Sequence, residues 1–171
     1  MSKIKNKKAI WSTRIKKNTA TIYKKVGGSI DVDKRLFMED IQGSIAHTEM
    51  LFKQKIISFK IKNKIIWGLK KVQNEILKGK FIFRKELEDI HMNIENRLHE
   101  IIGEEAGFVH TGRSRNDQVI TDLKIWMKTS TLNLIKLLNN LNKVFINIAE
   151  KNIETIMPGF THLKNAQPIS F

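Results

Sequence analysis

A chain of 171 residues with 41% hydrophobic residues can build a packed core, which excludes wholesale disorder. It has no cysteine, which excludes disulfide frameworks, thiolate zinc sites and cysteine catalysis, and no apolar run approaches the ~20 residues of a membrane-spanning helix. The formal net charge of +14 is concentrated in residues 1–85, where 22 basic side chains meet 6 acidic ones, without the aromatic motif or Cys/His spacing of a nucleic-acid module.

Residues 1–30 read as irregular and basic, and no uninterrupted apolar segment follows Met1–Lys8, so a secretory signal is not expected. The abundance of Lys, Ile and Asn also fits an AT-rich coding sequence. The lysines therefore read as solvated helix faces, attracting polyanions non-specifically, with no specific nucleic-acid partner and no membrane. A reduced, cytoplasmic compartment is expected. The Gly27-Gly28 pair can supply positive φ. Asp31 or Asp33 offers an N-cap to a helix reaching about Ser58, with Leu36, Phe37, Ile41, Ile45, Met50 and Leu51 at mostly helical spacing. A second helix spans about Lys62 to Lys78, and Gly79 falls where a left-handed cap would stand. Phe81-Ile82-Phe83 is at most a short extended piece.

Glu88 to Ile102 reads as a third helix with Ile90, Ile94, Leu98, Ile101 and Ile102 on one stripe and Gly103 as its stop. A polar loop follows over 107–116. From Asp117, taken as an N-cap, the pattern is helical to about Thr155, and Met157-Pro158-Gly159 ends it. Such a helix is ~50 Å long at ~1.5 Å per residue, which suits a helix bundle between chains better than one small globule. Gln167 to Phe171 looks like the entry to another helix with Pro168 near its first turn, so the architecture is expected to be cut short. The fold is expected to be all-α: an N-terminal helical domain over 1–112, then an incomplete central helix-bundle domain over 113–171.

Two polar runs carry the chemistry. His110-Thr-Gly-Arg-Ser-Arg-Asn-Asp-Gln118 places Gly112 between His110 and two arginines, a composition suited to an anion, because a guanidinium meets a carboxylate with parallel hydrogen bonds. On spacing alone, a structural loop closed by Arg–carboxylate pairs is an equal reading. In the second run, Thr161-His-Leu-Lys-Asn-Ala-Gln-Pro168, His162 has the ordinary titration range of a general acid/base, although an isolated loop histidine is more often structural. His47 and His91 lie on expected helices, where packing or hydrogen bonding is the simpler role, and His110 is open. No metal-ligand spacing and no Gly-rich phosphate loop is recognisable.

The strings Glu88-Asp-Ile-His-Met-Asn-Ile-Glu95, His110-Thr-Gly-Arg-Ser-Arg-Asn-Asp-Gln-Val119 and Met157-Pro-Gly-Phe-Thr-His-Leu163, with Ala166-Gln-Pro168, closely resemble the argininosuccinate lyase family. Ser29-Ile30, Asp33-Lys-Arg-Leu36 and Asp40-Ile-Gln-Gly-Ser-Ile-Ala-His47 add to the resemblance, which covers nearly the whole chain in the family's order and spacing. It implies a cofactor-free and metal-free β-elimination of argininosuccinate to arginine and fumarate, the last step of arginine biosynthesis. It also implies a homotetramer whose active sites are shared between chains. By the same resemblance Ser29, Arg115, Asn116 and Thr161 contact substrate, His162 is an acid/base group, and Asp89 belongs to the surroundings. The family's later Gly-Ser-Ser-x-Met-Pro loop, with its proton-transferring serine, has no counterpart here. Trp11-Ser-Thr-Arg14 replaces the family's Trp-Gly-Gly-Arg, and Lys164 replaces a usual glutamine. Loss of one member of a cooperative catalytic set typically costs ~10³-fold or more, so this chain alone is expected to be inactive. It reads as a fragment of a complete enzyme or as a coding remnant, the alternative being a non-catalytic helical assembly protein of the same superfamily.

Overall fold

The computed structural model describes residues 26–170, which fall in two compact units, the first ending at Trp126 and the second beginning at Met127. Trp11–Arg14 and Phe171 lie outside the described residues.

The first unit is helical. A short helix α1 (Ile30–Asp33) and a 3-10 turn (Lys34–Leu36) lead into α2 (Phe37–Lys53). Helix α3 (Phe59–Leu77) follows, then a 3-10 turn (Lys85–Leu87), α4 (Ile90–Ile102) and a 3-10 segment (Gly103–His110). Apolar side chains recurring at three- and four-residue spacing give each helix a stripe to bury: Ile41 and Leu51 on α2, Ile65, Leu69 and Val72 on α3, Ile90, Ile94, Leu98 and Ile102 on α4. Removing each such side chain from water contributes ~1.5–3 kcal/mol. Gly68 lets α3 and α4 approach, since a Cβ there would sit 2.6 Å from Leu98 Cδ1 and 2.8 Å from Ile102 Cγ2.

The ends of these helices show where sequence signals hold and where they fail. Gly79 and Gly103 both take positive φ (66° and 79°), as their positions suggest. Helix α2 stops at Lys53, short of Ser58, because Lys55 turns left-handed at φ 60° and Ile56 N donates to Leu51 O. That is the Schellman closure usually given to glycine, and a lysine does not announce it. Neither Asp31 nor Asp33 caps α2. Asp33 instead accepts from the Ser29 hydroxyl at 2.5 Å and from Ile90 N at 3.2 Å, tying α1 to the start of α4. Ser58 caps α3 through Ile61 N, and Asp89 caps α4 through Met92 N at 2.7 Å.

Helix α5 (Arg115–Lys151) has 37 residues, so the long helix is present but begins earlier and ends earlier than its sequence pattern suggests. Asp117 lies in its first turn and is not the N-cap, because the helix already starts at Arg115 and Gln118 N bonds to Ser114 O. An acid there still complements the helix dipole.

The second unit holds the rest of α5 and a hairpin of β1 (Ile156–Thr161) and β2 (Lys164–Ser170), paired antiparallel. Met157-Pro158-Gly159 is therefore a strand and not a helix stop, and residues 167–170 do not enter a helix. The chain is mostly helical with this hairpin added. Pro158 faces Pro168 across the ladder, and the register shifts between Pro158 and Phe160. Gly159 sits at that irregularity, where a Cβ would come within 2.7 Å of Gln167 O. The tip is His162-Leu163, both left-handed (φ 48° and 63°), as a two-residue hairpin loop requires.

Candidate functional site around Arg115

Within the first unit, the polar loop is held to α4. Arg115 is half-buried at the start of α5, with Nη2 donating to Glu95 Oε2 at 3.0 Å and Nη1 3.4 Å from Gln118 Oε1. His110 Nε2 reaches the same Glu95 oxygen at 3.0 Å. Burial alone would push the Glu95 carboxyl up, but His110 and Arg115 outweigh it and hold the group below its ordinary value. Asn116 is exposed beside them, at a helix N-terminus whose dipole favours an anion. Gly112 adopts φ 63°, and His47 Nε2 donates to Thr111 O at 3.0 Å from α2, fixing the turn.

Ser29 and Asp89 form a second group at the N-terminus of α4. Ser29 N and Ile30 N both donate to Glu88 O at 2.9 Å, and Asp89 is committed to its cap. Among the described residues, no hydrogen bond or ion pair joins Ser29 or Asp89 to Arg115 or Asn116. Thr161 and His162 stand exposed at the hairpin tip of the second unit.

Under the loop lies a buried polar cluster that pattern reading overlooks. His91 Nδ1 donates to Asp40 Oδ1 at 3.1 Å, Gln118 Nε2 donates to the same oxygen, and Asp122 Oδ2 lies 3.3 Å from His91 Nδ1. Arg113 reaches in from above, its Nη1 donating to Ser44 Oγ at 2.8 Å. Burial works against the Asp40 charge, but His91, Gln118 and Arg113 together keep its carboxyl below the ordinary range. Burial and the Asp40 charge push Asp122 up to about 7. A small cavity lined by Asp40, His91, Glu95, His110 and Gln118 separates this cluster from the Glu95–Arg115 group.

Asp40, His91 and Asp122 could offer one ligand atom each to a cation, all within 4.8 Å of one another. His91 already gives its Nδ1 hydrogen to Asp40, however, and Arg113 supplies positive charge beside both carboxyls. The signal for this cluster was present as three i, i+4 polar pairs, Asp40/Ser44, His91/Glu95 and Gln118/Asp122, lying on the inward sides of three helices. His91 is a hydrogen-bonded core residue, the simpler of the roles expected for it.

Comparison with known proteins agrees with the motifs. Residues 13–171 match the lyase family. The chain is 67% identical over 171 residues to argininosuccinate lyase of Pelagibacter ubique (strain HTCC1062), covering 100% of this chain and 37% of that protein. It is 52% identical over 164 residues to the argininosuccinate lyase of Ehrlichia chaffeensis (strain ATCC CRL-10679 / Arkansas), covering 96% of this chain and 35% of that one. Against the argininosuccinate lyase of Janthinobacterium sp. (strain Marseille) it is 44% identical over 170 residues, covering 99% and 37%. It thus spans a little over a third of the length of these relatives. The chain belongs to the lyase family, and its similarity is to the N-terminal portion of argininosuccinate lyases.

Proposed function

We propose that this chain supplies two substrate-handling segments of an argininosuccinate lyase, which splits argininosuccinate into arginine and fumarate. The observation that carries the reading is 67% identity along the whole chain to a protein of that name, with the Arg115 loop seated at a helix N-terminus. Removing a proton beside a carboxylate drives negative charge onto that carboxylate. Arg115, held by Glu95, together with Asn116, Thr161 and Ser29, stabilises that charge as it grows. His162 is the acid/base group, serving either the carbon proton or the departing guanidino nitrogen. Asp89 orders the ground around Ser29 by capping α4. These steps need proton transfers and charge stabilisation from side chains.

Ser29 and Arg115 belong to one unit and Thr161 and His162 to the other. Under the proposal, segments 1–112 and 113–171 act as a helical domain and the opening of a central bundle. Copies of the chain, as a homotetramer in the cytoplasm, share the sites between them. A second reading, a non-catalytic helical assembly protein, draws on the exposed apolar side chains of α5, Leu134, Leu138, Leu141 and Phe145 among them.

The test pairs this chain with the remaining two-thirds of the Pelagibacter ubique relative, co-expressed as a separate polypeptide, and follows fumarate by its ultraviolet absorbance. Fumarate release that falls ~10³-fold in His162→Asn is the expected result. A folded, assembled complex that consumes no argininosuccinate would overturn the lyase reading and favour the assembly protein.

A further inference from the structure

We propose that Gln118 is the positioning residue for Arg115, its amide oriented by Asp40, and that Asp122 enters the folded state as a neutral acid donating its proton to Asp40. The proposal deepens the lyase reading, since it rests on Arg115 meeting the substrate carboxylate.

The orientation follows from donor and acceptor counting. A glutamine amide can point either end toward a neighbour, and only the neighbours choose. Asp40 is an acceptor when ionised, so it takes the Gln118 nitrogen, which leaves Oε1 facing Arg115 Nη1 at 3.4 Å. With Glu95 fixing Nη2 at 3.0 Å, the guanidinium is held at two corners by acceptors on two different helices. Reversing the amide would set an NH₂ against a guanidinium and an oxygen against a carboxylate, so the orientation of Gln118 depends on Asp40 keeping its charge.

The proton on Asp122 follows from the same counting. Asp122 is 0% exposed and neither of its oxygens has a hydrogen-bond partner. An ionised carboxylate in that position forgoes several hydrogen bonds, which is costly, and stands against a second carboxylate. A carboxylic acid gives its O–H to Asp40 and removes both difficulties. Asp40 then collects three donors, from His91, Gln118 and Asp122, and is the one anion of the group. The charged and titratable groups facing Asp122 are Asp40 from α2, His91 from α4 and Arg113 from the turn before α5. The Glu95–His110 pair lies across the small cavity.

The proton is tested on the chain itself. Unfolding is followed from pH 4 to pH 8 for wild type and Asp122→Asn. An acid that titrates near 7 when folded and near 3.8 when unfolded binds protons on folding between those values. The Asp122 contribution to wild-type stability should therefore fall across that window as pH rises, while asparagine has no proton to gain. The expected result is a stability difference that moves in favour of Asp122→Asn between those pH values. A difference moving in favour of wild type would mean an ionised, paired Asp122 and would overturn this part. Carbon-13 NMR of the wild-type Asp carboxyls gives the same answer without a variant: a buried carboxyl titrating near neutrality supports the proposal, and none doing so overturns it.

The positioning role is tested with Gln118→Met, which keeps shape and removes both hydrogen bonds. In the chain alone, proton exchange at Arg115 Nη1 is expected to rise about tenfold in Gln118→Met. In the complemented enzyme, KM for argininosuccinate is expected to rise by a similar factor, with kcat changed less. A general loss of folded complex would lower kcat instead. An Arg115 signal and KM unchanged in Gln118→Met would overturn the positioning role. If the wild-type complex releases no fumarate, the lyase reading fails, while the Arg115 exchange still decides the relay.

Discussion

The two units treat the same kind of apolar stripe in opposite ways. In the first, Ile65, Leu69, Leu98 and Ile90 are 0–1% exposed, packed between three helices of the same chain. In the second, α5 carries Leu134, Leu138, Leu141 and Phe145 at matching helical spacing, yet they are 48–60% exposed. Among its described residues the one buried is Gly159, in the hairpin. Periodicity thus encodes a face that packs well but does not name the surface it packs against. In the first unit that surface is supplied by the neighbouring helices. In the second it is not within the unit, which is the physical basis for proposing copies of the chain as partners.

Five changes would break or sharpen this contrast. The largest effect is expected from Leu98→Ala, which opens a cavity in the first unit and should cost ~2–5 kcal/mol by chemical denaturation. Leu138→Ala in the unassembled chain should stay within ~0.5 kcal/mol, because there is little packing to lose. If Leu138→Ala costs as much as Leu98→Ala, the second unit is already packed and the contrast fails. Next comes Gly68→Ala, where the added methyl meets Leu98 and Ile102 and should cost ~1–3 kcal/mol despite a better helix propensity. A stabilised variant would show that α3 and α4 can part freely.

Asp89→Ala should follow at ~1 kcal/mol, from losing the cap to Met92 N, with Asp89→Asn or Asp89→Ser restoring most of it. A smaller effect than any of the first-unit changes is expected at the hairpin tip. Leu163→Gly relieves a left-handed leucine and should slow amide exchange across β1 and β2 by an amount worth ~0.5–1 kcal/mol. Faster exchange would mean that the leucine side chain stabilises the turn.

Acid should act on the first unit through Glu95 and Asp40. Their folded-state values are depressed, so the stability they contribute is present above the ordinary carboxylate range and lost as pH falls through the folded values. His91, raised by Asp40 once burial is overcome, acts the other way: its contribution is present below its ordinary value and lost as pH rises through the folded one. Circular dichroism melts across acid and neutral pH should show both limbs in wild type and a weakened acid limb in Glu95→Gln.

The helices of the first unit were readable because local rules agree there. Ile65-Leu69-Val72 and Ile90-Ile94-Leu98 repeat at helical spacing, and Gly79 and Gly103 close their helices by the one property glycine has alone. The turn at Lys55 was hidden because lysine adopts a left-handed backbone only where the surrounding contacts impose it. The hairpin was hidden because Pro158 and Pro168 argue against strands, and only their facing positions in the register reveal the ladder. In the site, the loop residues were visible as a dense polar run. Glu95, Asp40 and Asp122 were not, since each lies on a helix otherwise read for its apolar spacing, and Gln118 showed only as the end of that run.

By itself, then, the sequence determined the helical character of the chain, the long helix, the two polar runs and the family they resemble, all of which depend on residues close together along the chain. Tertiary structure alone decided that Glu95 holds Arg115, that Gln118 connects Arg115 to Asp40, and that Asp122 is buried without a hydrogen bond. Those contacts join residues up to 78 positions apart, and a charged group's state is set by the neighbours that folding brings to it.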